Sequence, residues 1–188
     1  PVEPVVASFG VVNPTKATGV LLDAFAIVLE ARRDARLRLV GPGSPEDLAA
    51  VRAHAARLGI AGAVTATGQV DDAGWDRHLS EAMVAVQLRA STNGEFSGAV
   101  AEALAAGIPT IVTALGSAAE LPDDAAVKLP TESPPEALAA EILGLLSDPG
   151  RRKGLSEAAR AYAASVSFES VAEELYGLLI TSLNAGPR

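Results

Sequence analysis

The sequence contains no cysteine, which excludes disulfides and thiolate metal sites. Aromatic residues make up only 4% of it, and no apolar run is long enough to span a bilayer. The net charge is −8, whereas a nucleic-acid surface requires clustered Lys and Arg. We therefore expect no disulfide-stapled secreted domain, no membrane span and no nucleic-acid partner. A small anionic ligand stays compatible, because a local site needs only a few donors.

The 188 residues are 49% hydrophobic and 20% charged, which predicts a globular chain with a sizeable core. We expect one domain over residues 1–188. The chain begins at Pro1 rather than Met, so we also expect a fragment of a longer protein.

Short apolar runs alternate with helical periodicity along the first two thirds of the chain. This alternation predicts an α/β fold, a doubly wound parallel sheet of six strands with helices on both faces and a helical tail. Ser44 and Ser167 are predicted helix caps. The expected strands are 5–10, 37–40, 64–67, 83–88, 110–113 and 126–129, and the main expected helices are 20–33, 75–80, 135–147, 150–165 and 168–183.

The loop from Ser91 to Gly98 is the strongest candidate for a ligand site. It leads into a helix that opens at Ser97 and Gly98, where small side chains let a ligand reach the backbone. Free N–H groups and the helix dipole at such an end attract phosphate. Ligands of parallel α/β sheets bind beyond the carboxyl ends of the strands, where this loop lies. We therefore predict an anion site here.

Two glutamates bracket this helix start. Glu102 falls on the small-residue face of the helix, where a carboxylate can accept hydrogen bonds from ribose hydroxyls. Glu95, just before the helix, can do the same for sugar hydroxyls. A plainer reading is equally open at this point: acids are common early in helices, so Glu95 can cap backbone donors and Glu102 can lie in solvent.

Lys16 follows the first predicted strand, and Arg89 follows the fourth. Cations in these loops suit a diphosphate, although most single loop lysines are only solvated. His54 and His78 have no partners at metal or triad spacing, so we predict surface positions for both. The glycines after the first strand do not form G-x-G-x-x-G, which argues against a dinucleotide-binding domain.

Five segments, taken together and in order, resemble one known family. They are FGVVNPTKATGVLLDAFAIVL, RLRLVGPG, VTATGQV, LRASTNGEFSGAVAEALAAGIPTIV and GSAAELP. The pattern is similar to the C-terminal domain of GT-B glycosyltransferases of family 4, and it covers nearly the whole chain. The resemblance implies a Rossmann-like half of a GT-B fold that binds a UDP- or GDP-sugar donor, with no cofactor and no metal.

The resemblance also implies roles for individual residues. Lys16 corresponds to the family's diphosphate-binding lysine and Glu102 to its ribose-binding glutamate. Glu95 corresponds to the glutamate that holds the donor sugar, and we expect Lys16 and Glu95 to be catalytic. The other expected donor-binding residues are Arg89, the segment Phe96, Ser97 and Gly98, and the loop Gly68, Gln69 and Val70 beside the base.

Two positions depart from the family pattern. Six residues separate Glu95 from Glu102 instead of seven, so Gly94 stands where the first glutamate aligns. Val11 stands where the family often has an arginine, five positions before the lysine. Lys16 would then be the main cation on the diphosphate, joined by Arg89.

The implied reaction is transfer of a sugar to an acceptor hydroxyl with retention of configuration. It requires an N-terminal half with the acceptor site, so we expect the isolated domain to bind nucleotide without turnover. The expected location is cytoplasmic, with peripheral membrane contact through the missing half as an alternative. Other readings left open are a GT-B epimerase or phosphorylase, a non-catalytic domain that keeps the fold, and another doubly wound nucleotide binder.

Overall fold

The computed structural model describes residues 3–184, with the backbone alone at 168 and 182–184. The ends of the expected domain, 1–2 and 185–188, lie outside the described residues. The strands are β1 (Val5–Phe9), β2 (Arg36–Val40), β3 (Val64–Ala66), β4 (Val84–Gln87), β5 (Thr110–Thr113) and β6 (Val127–Leu129). The helices are α1 (Thr18–Ala31), α2 (Pro45–Arg57), α3 (Asp72–Glu81), α4 (Gly98–Ala105), α5 (Pro135–Ser147), α6 (Pro149–Ser165) and α7 (Phe168–Asn184).

All six strands are parallel and form one sheet in the order β3-β2-β1-β4-β5-β6. The order reverses between β1 and β4, and a crevice for ligands opens at such a reversal. The expected α/β doubly wound fold is therefore confirmed. We call the edge where the strands end the carboxyl edge, and the edge where they begin the amino edge.

The seam between β1 and β4 is held differently from its neighbours. β1 pairs with β2 from Val5 to Phe9, but it pairs with β4 only at Val6 and Ala7. Beyond Ala7, the buried side chain of Gln87 supplies the hydrogen bonds to β1. In the amide orientation that satisfies both groups, it donates to the Phe9 carbonyl and accepts from the Phe9 N–H, each at 3.1 Å. A side chain thus continues the ladder as the crevice opens.

Helices α1 to α6 cover both faces of the sheet, because each turns apolar residues inward. Buried residues of α1, α2 and α5 pack on one face in the largest cluster. Residues of α3, α4 and the second half of α6 pack on the other face, whereas Leu155 of α6 joins the largest cluster. Strands buried from both sides need apolar residues at nearly every position, as the fully buried β4 and β5 show.

Side-chain caps fix where several helices start. Ser44 Oγ accepts from the Asp47 N–H at 3.0 Å, and Ser167 Oγ accepts from the Ser170 N–H at 3.2 Å, so both predicted caps are confirmed. The expected start of α3 near Trp75 is wrong. Asp71 accepts from the Gly74 N–H at 2.8 Å, which allows α3 to begin at Asp72.

The last helix, α7, presents apolar side chains to solvent. Leu175, Tyr176, Leu178 and Leu179 are all more than half exposed. Glu169, Glu173 and Glu174 share the helix with them. Within residues 3–184, we find no helix with the length and apolar character needed to cross a bilayer.

Candidate functional site

Three loops are tied together at the carboxyl edge, beside the β1–β4 crevice. The Ala90 N–H donates to the Thr15 carbonyl at 2.8 Å, which joins the loops that follow β4 and β1. The Arg89 N–H donates to Thr113 Oγ1 at 3.0 Å, and Ser117 Oγ donates to the Glu95 carbonyl at 3.2 Å. These bonds attach the loop after β5 to the same group, so residues far apart in sequence face one site.

Lys16 lies at the end of a single 3-10 turn, which Asn13 caps by accepting from the Thr15 N–H at 3.1 Å. Its ammonium reaches back over the end of β1. A Cβ placed on Gly10 would lie 3.5 Å from Lys16 Nζ and 3.8 Å from Ala99 Cβ, so the lysine approaches the first turn of α4. Its Nζ makes no hydrogen bond or ion pair with any residue in the described range 3–184.

The surroundings of Lys16 oppose its charge. Partial burial is the largest cause that lowers the pKa of its ammonium, and the nearby Arg89 guanidinium lowers it further. Glu95 acts in the opposite direction but does not cancel these effects. Two cations therefore face one another, and an additional anion would relieve their repulsion.

Glu95 is held by its own loop. Its carboxylate forms an ion pair with Arg89 and accepts from the Asn93 N–H at 2.8 Å. Hydrogen bonds from its own N–H and that of Asn93 are the main cause that lowers the Glu95 pKa, and Arg89 adds to them. Gly94, directly before Glu95, has φ +87 and open space where a side chain would be.

The helix that follows offers unpaired backbone donors. Ser97 precedes α4 without capping it through its side chain. The Gly98 and Ala99 N–H groups find no acceptor within the described part of the chain. A Cβ on Gly98 would meet no atom within 4 Å, so a ligand can approach this helix end closely. Free amides and the helix dipole attract an anion here.

Glu102 lies one turn further along α4, and its side chain is not simply solvated. Its carboxylate accepts a hydrogen bond from the indole Nε1–H of Trp75 on α3. The indole ring contacts Phe9 edge to face, with ring centroids 5.3 Å apart and an angle of 61°. Sequence patterns do not indicate this pair, since 27 positions separate its members.

The loop from Gly68 to Val70 lies on the other side of Trp75. Gly68 forms an isolated bridge with Gly41, whose N–H donates to Thr67 Oγ1 at 3.2 Å. Val70 packs in the same apolar cluster as the indole, whereas Gln69 is exposed. The structure thus gathers Lys16, Arg89, Glu95 and the α4 start around one point, and the 68–70 loop contacts the Trp75 cluster through Val70.

The expectation that both histidines are plain surface residues is wrong. His54 Nε2 lies 2.8 Å from Asp23 Oδ1, and its side chain is only 24% exposed. His78 is half-buried beside Arg38, and burial is the main cause that lowers its pKa, followed by the Arg38 charge. Both contacts join separate helices and strands, so spacing along one helix could not reveal them. Within residues 3–184, no three His, Asp or Glu side chains cluster as metal ligands do.

Residues 3–148 match the family model described as Glycosyl transferases group 1. A D-inositol 3-phosphate glycosyltransferase of Segniliparus rotundus is 33% identical over 191 residues, which cover 99% of this chain and 42% of that protein. A protein of the same description from Streptomyces scabiei is 31% identical over 87% of this chain and 38% of its own length. The chain thus spans about four tenths of the curated relatives it matches.

Solved structures share the fold. A sucrose-phosphate synthase from Thermosynechococcus elongatus superposes with a TM-score of 0.79 at 26% identity, covering 98% of this chain and 46% of that one. The Anabaena protein Alr3699/HepE, solved with UDP and glucose, gives a TM-score of 0.81 at 20% identity, covering 96% of this chain and 49% of that one. The second similarity concerns the fold alone.

Proposed function

This chain belongs to the group 1 glycosyl transferases, and we propose that it is the half of such an enzyme that binds a nucleotide-sugar donor. The donor would be a UDP- or GDP-sugar, and the whole enzyme would transfer the sugar to an acceptor hydroxyl with retention of configuration. The names of the curated relatives support a glycosyltransferase. The HepE structure with UDP and glucose supports a nucleotide sugar as donor.

One observation carries the proposal: two cations and two free amides converge beside a single carboxylate, which does not balance the positive charge. Lys16 and Arg89 face each other, and Glu95 is their common counter-charge. The Gly98 and Ala99 N–H groups point from the start of α4 beside them. A diphosphate supplies the missing negative charge and accepts from free N–H groups at a helix start.

The remaining expected site residues fit around a diphosphate held in this way. Glu102, one helical turn from Gly98, would accept from ribose hydroxyls, and the loop from Gly68 to Val70 would lie by the base. Phe96 is half exposed at the end of the Glu95 loop, on the side where the donor sugar would extend. Glu95 would bind that sugar after exchanging its Arg89 contact for the ligand.

The chemical role follows from charge. When the bond between sugar and diphosphate breaks, negative charge builds on the leaving diphosphate. Lys16 and the amides of the α4 start are already oriented toward that charge, so they would stabilise the transition state more than the bound donor. These groups require no metal ion to act in this way.

The acceptor site would belong to a second half of the enzyme. The chain spans only 42% and 38% of two curated relatives, so most of each relative lies outside the similarity. The apolar side chains of α7, such as Leu175 and Leu179, would be covered by that half. We expect this domain alone to bind donor without transferring sugar.

Calorimetric titration of the chain with UDP, GDP and ADP tests the proposal. At least one of them should bind, and Lys16→Ala should weaken that binding by about 100-fold, since it removes a partly buried cation from the anion. Lys153→Ala is the matched control, because Lys153 is 76% exposed on α6 and, among the described residues, pairs only with Glu157. If none of the three nucleotides binds, or if both lysine variants behave alike, the donor site is wrong.

A further inference from the structure

We propose that Trp75 is a positioning residue that holds Glu102 in place for a ribose diol, so that the site selects ribonucleotides. The inference rests on the proposed donor site. It assigns the selection to an α3 side chain that would not touch the reacting atoms.

The contact itself restrains an exposed side chain. Glu102 lies on the solvent side of α4, where a free carboxylate would rotate among several rotamers. The Trp75 indole Nε1–H donates to Glu102 Oε2. Indole nitrogen is a donor only, so it fixes this carboxylate as an acceptor.

The indole is itself held on several sides. Its ring packs edge to face on Phe9, which is 1% exposed at the end of β1. Its backbone N–H donates to the Asp71 carbonyl at 2.8 Å in the capped first turn of α3. The position of the Glu102 carboxylate is therefore fixed relative to the central strand β1 through Trp75 and Phe9, and not by its own helix alone.

The arrangement leaves the other carboxylate oxygen open. Glu102 Oε1 accepts no hydrogen bond within residues 3–184. A carboxylate offers about four acceptor positions, so it can take the indole N–H and two ribose hydroxyls together. With one oxygen pinned by Trp75, the other is oriented before ligand arrives, which reduces the entropy lost on binding.

Trp75 also links the two parts of a nucleoside site. The indole shares an apolar cluster with Val70, which ends the loop expected beside the base, and with Ala99 in the first turn of α4. A single side chain thus sets the spacing between a base-side loop and a ribose-side carboxylate. A nucleotide that lacks ribose hydroxyls would gain nothing from this spacing.

Paired titrations test the selection. The probes are whichever of UDP, GDP and ADP binds and its 2′,3′-dideoxy analogue. The unaltered chain should prefer the ribonucleotide by roughly tenfold, the factor expected for losing hydrogen bonds to a charged group. Trp75→Phe keeps a ring against Phe9 but removes the donor, so it should lose most of this preference while its dideoxynucleotide affinity stays within about twofold.

A double-mutant cycle separates positioning from packing. If Trp75 acts through Glu102, the pair Trp75→Phe with Glu102→Ala should weaken ribonucleotide binding no more than Glu102→Ala does alone. Additive losses would contradict the proposal. A Trp75→Phe variant that keeps the full ribose preference would also contradict the role of Trp75. The proposed donor site would not be affected by that result. If no nucleotide binds, both the donor site and the role of Trp75 are wrong.

The hydrogen bond can also be checked without ligand. Trp75 is the single tryptophan of the chain, so its indole N–H gives one proton signal in nuclear magnetic resonance. Glu102→Ala should move that signal upfield, because the proton loses a charged acceptor. Glu157→Ala on α6 is the control and should leave it unchanged. An indole signal that ignores Glu102→Ala would overturn the inference.

Discussion

The amino edge and the carboxyl edge of the sheet both carry basic and acidic side chains, but the two edges differ in how completely the charges are paired. At the amino edge, Arg38 is paired with Glu81 and lies 4.0 Å from Glu3, which also pairs with Arg36 at 3.3 Å. At the carboxyl edge, Lys16 has no carboxylate partner within the described residues, and Arg89 has Glu95 alone. One edge is balanced by the chain itself, and the other is left for a ligand to balance.

The two edges also differ in what holds them together. The amino edge relies on side-chain ion pairs between β2 and α3. The carboxyl edge relies on close approach of its backbone, as at Gly41 and Gly10, and on loop hydrogen bonds. Lys16 makes no ion pair within the described residues and is repelled by Arg89, so its charge is available for binding. The comparison predicts which substitutions damage stability and which damage binding.

The largest effect on stability should come from Gly41→Ala. Gly41 has φ +136, and a Cβ there would lie 2.3 Å from the Gly10 carbonyl oxygen. The backbone strain and the clash together should lower the free energy of unfolding by about 3 kcal/mol or more, measured by urea denaturation. Gly98→Ala at the same edge is the counterpart. Its Cβ has open space, so it should keep stability and weaken nucleotide binding instead.

A moderate difference in the free energy of unfolding should distinguish Arg38→Ala from Lys16→Ala. Arg38 is only 20% exposed, and its removal takes away the ion-pair partner of Glu81 while Glu3 keeps Arg36, so the free energy of unfolding should fall by about 2 kcal/mol. Lys16→Ala should not lower it, because Lys16 is repelled by Arg89. Urea denaturation should show lower stability for Arg38→Ala alone, and nucleotide titration should show weaker binding for Lys16→Ala alone. Equal stability losses would break the contrast between the edges.

A pH effect should appear at the carboxyl edge. The Lys16 pKa is lowered in the free chain, and a bound diphosphate would raise it again. Between these two pKa values, binding takes up a proton, so affinity should fall up to about tenfold per pH unit as the pH rises. In the same alkaline range the unfolded chain binds more protons at Lys16 than the folded chain, so the contribution of Lys16 to stability rises with pH.

Calorimetry in alkaline buffers of different ionisation enthalpy measures that proton uptake directly. Lys16→Ala should abolish it in any residual binding, and Lys153→Ala should retain it. Uptake that persists without Lys16 would assign the proton to another group.

The smallest effect should be a gain of stability from Ala17→Gly. Ala17 joins the Lys16 turn to α1 in the left-handed region, at φ 46 and ψ 37. Relief of its Cβ strain, offset by the greater freedom of glycine in the unfolded chain, should raise the free energy of unfolding by up to about 1 kcal/mol. Thermal denaturation should show a slightly higher midpoint. No change, or a loss, would mean that the turn is not strained.

Local patterns along the chain predicted the elements well. Strand 110–113 and helix 135–147 were predicted with the bounds that the structure shows, since turn residues and apolar runs mark their ends. The alternation of these elements fixed the fold class. The start of α3 is harder to predict, because Asp71 is as typical of a turn as of a helix cap.

Contacts between distant elements could not be predicted in the same way. Trp75 with Glu102 and His54 with Asp23 each join residues about thirty positions apart, and no periodicity encodes such pairs. Gln87 is a polar residue at the end of the buried strand β4, but its role depends on the divergence of β1 and β4, which the sequence does not encode locally. The sequence therefore placed candidate residues near one edge, and their donor contacts stay predictions.

The Gln87 bridge sets how one backbone proton exchanges with deuterium. Most protons inside a sheet are released only when two strands separate. The Phe9 N–H instead donates to a side-chain oxygen, so rotation of the Gln87 amide can free it while the strands stay paired. The exchange rate of the Phe9 amide proton therefore reports local opening at the crevice and does not require unfolding of the sheet. A ligand bound in the crevice should slow deuterium exchange at Phe9.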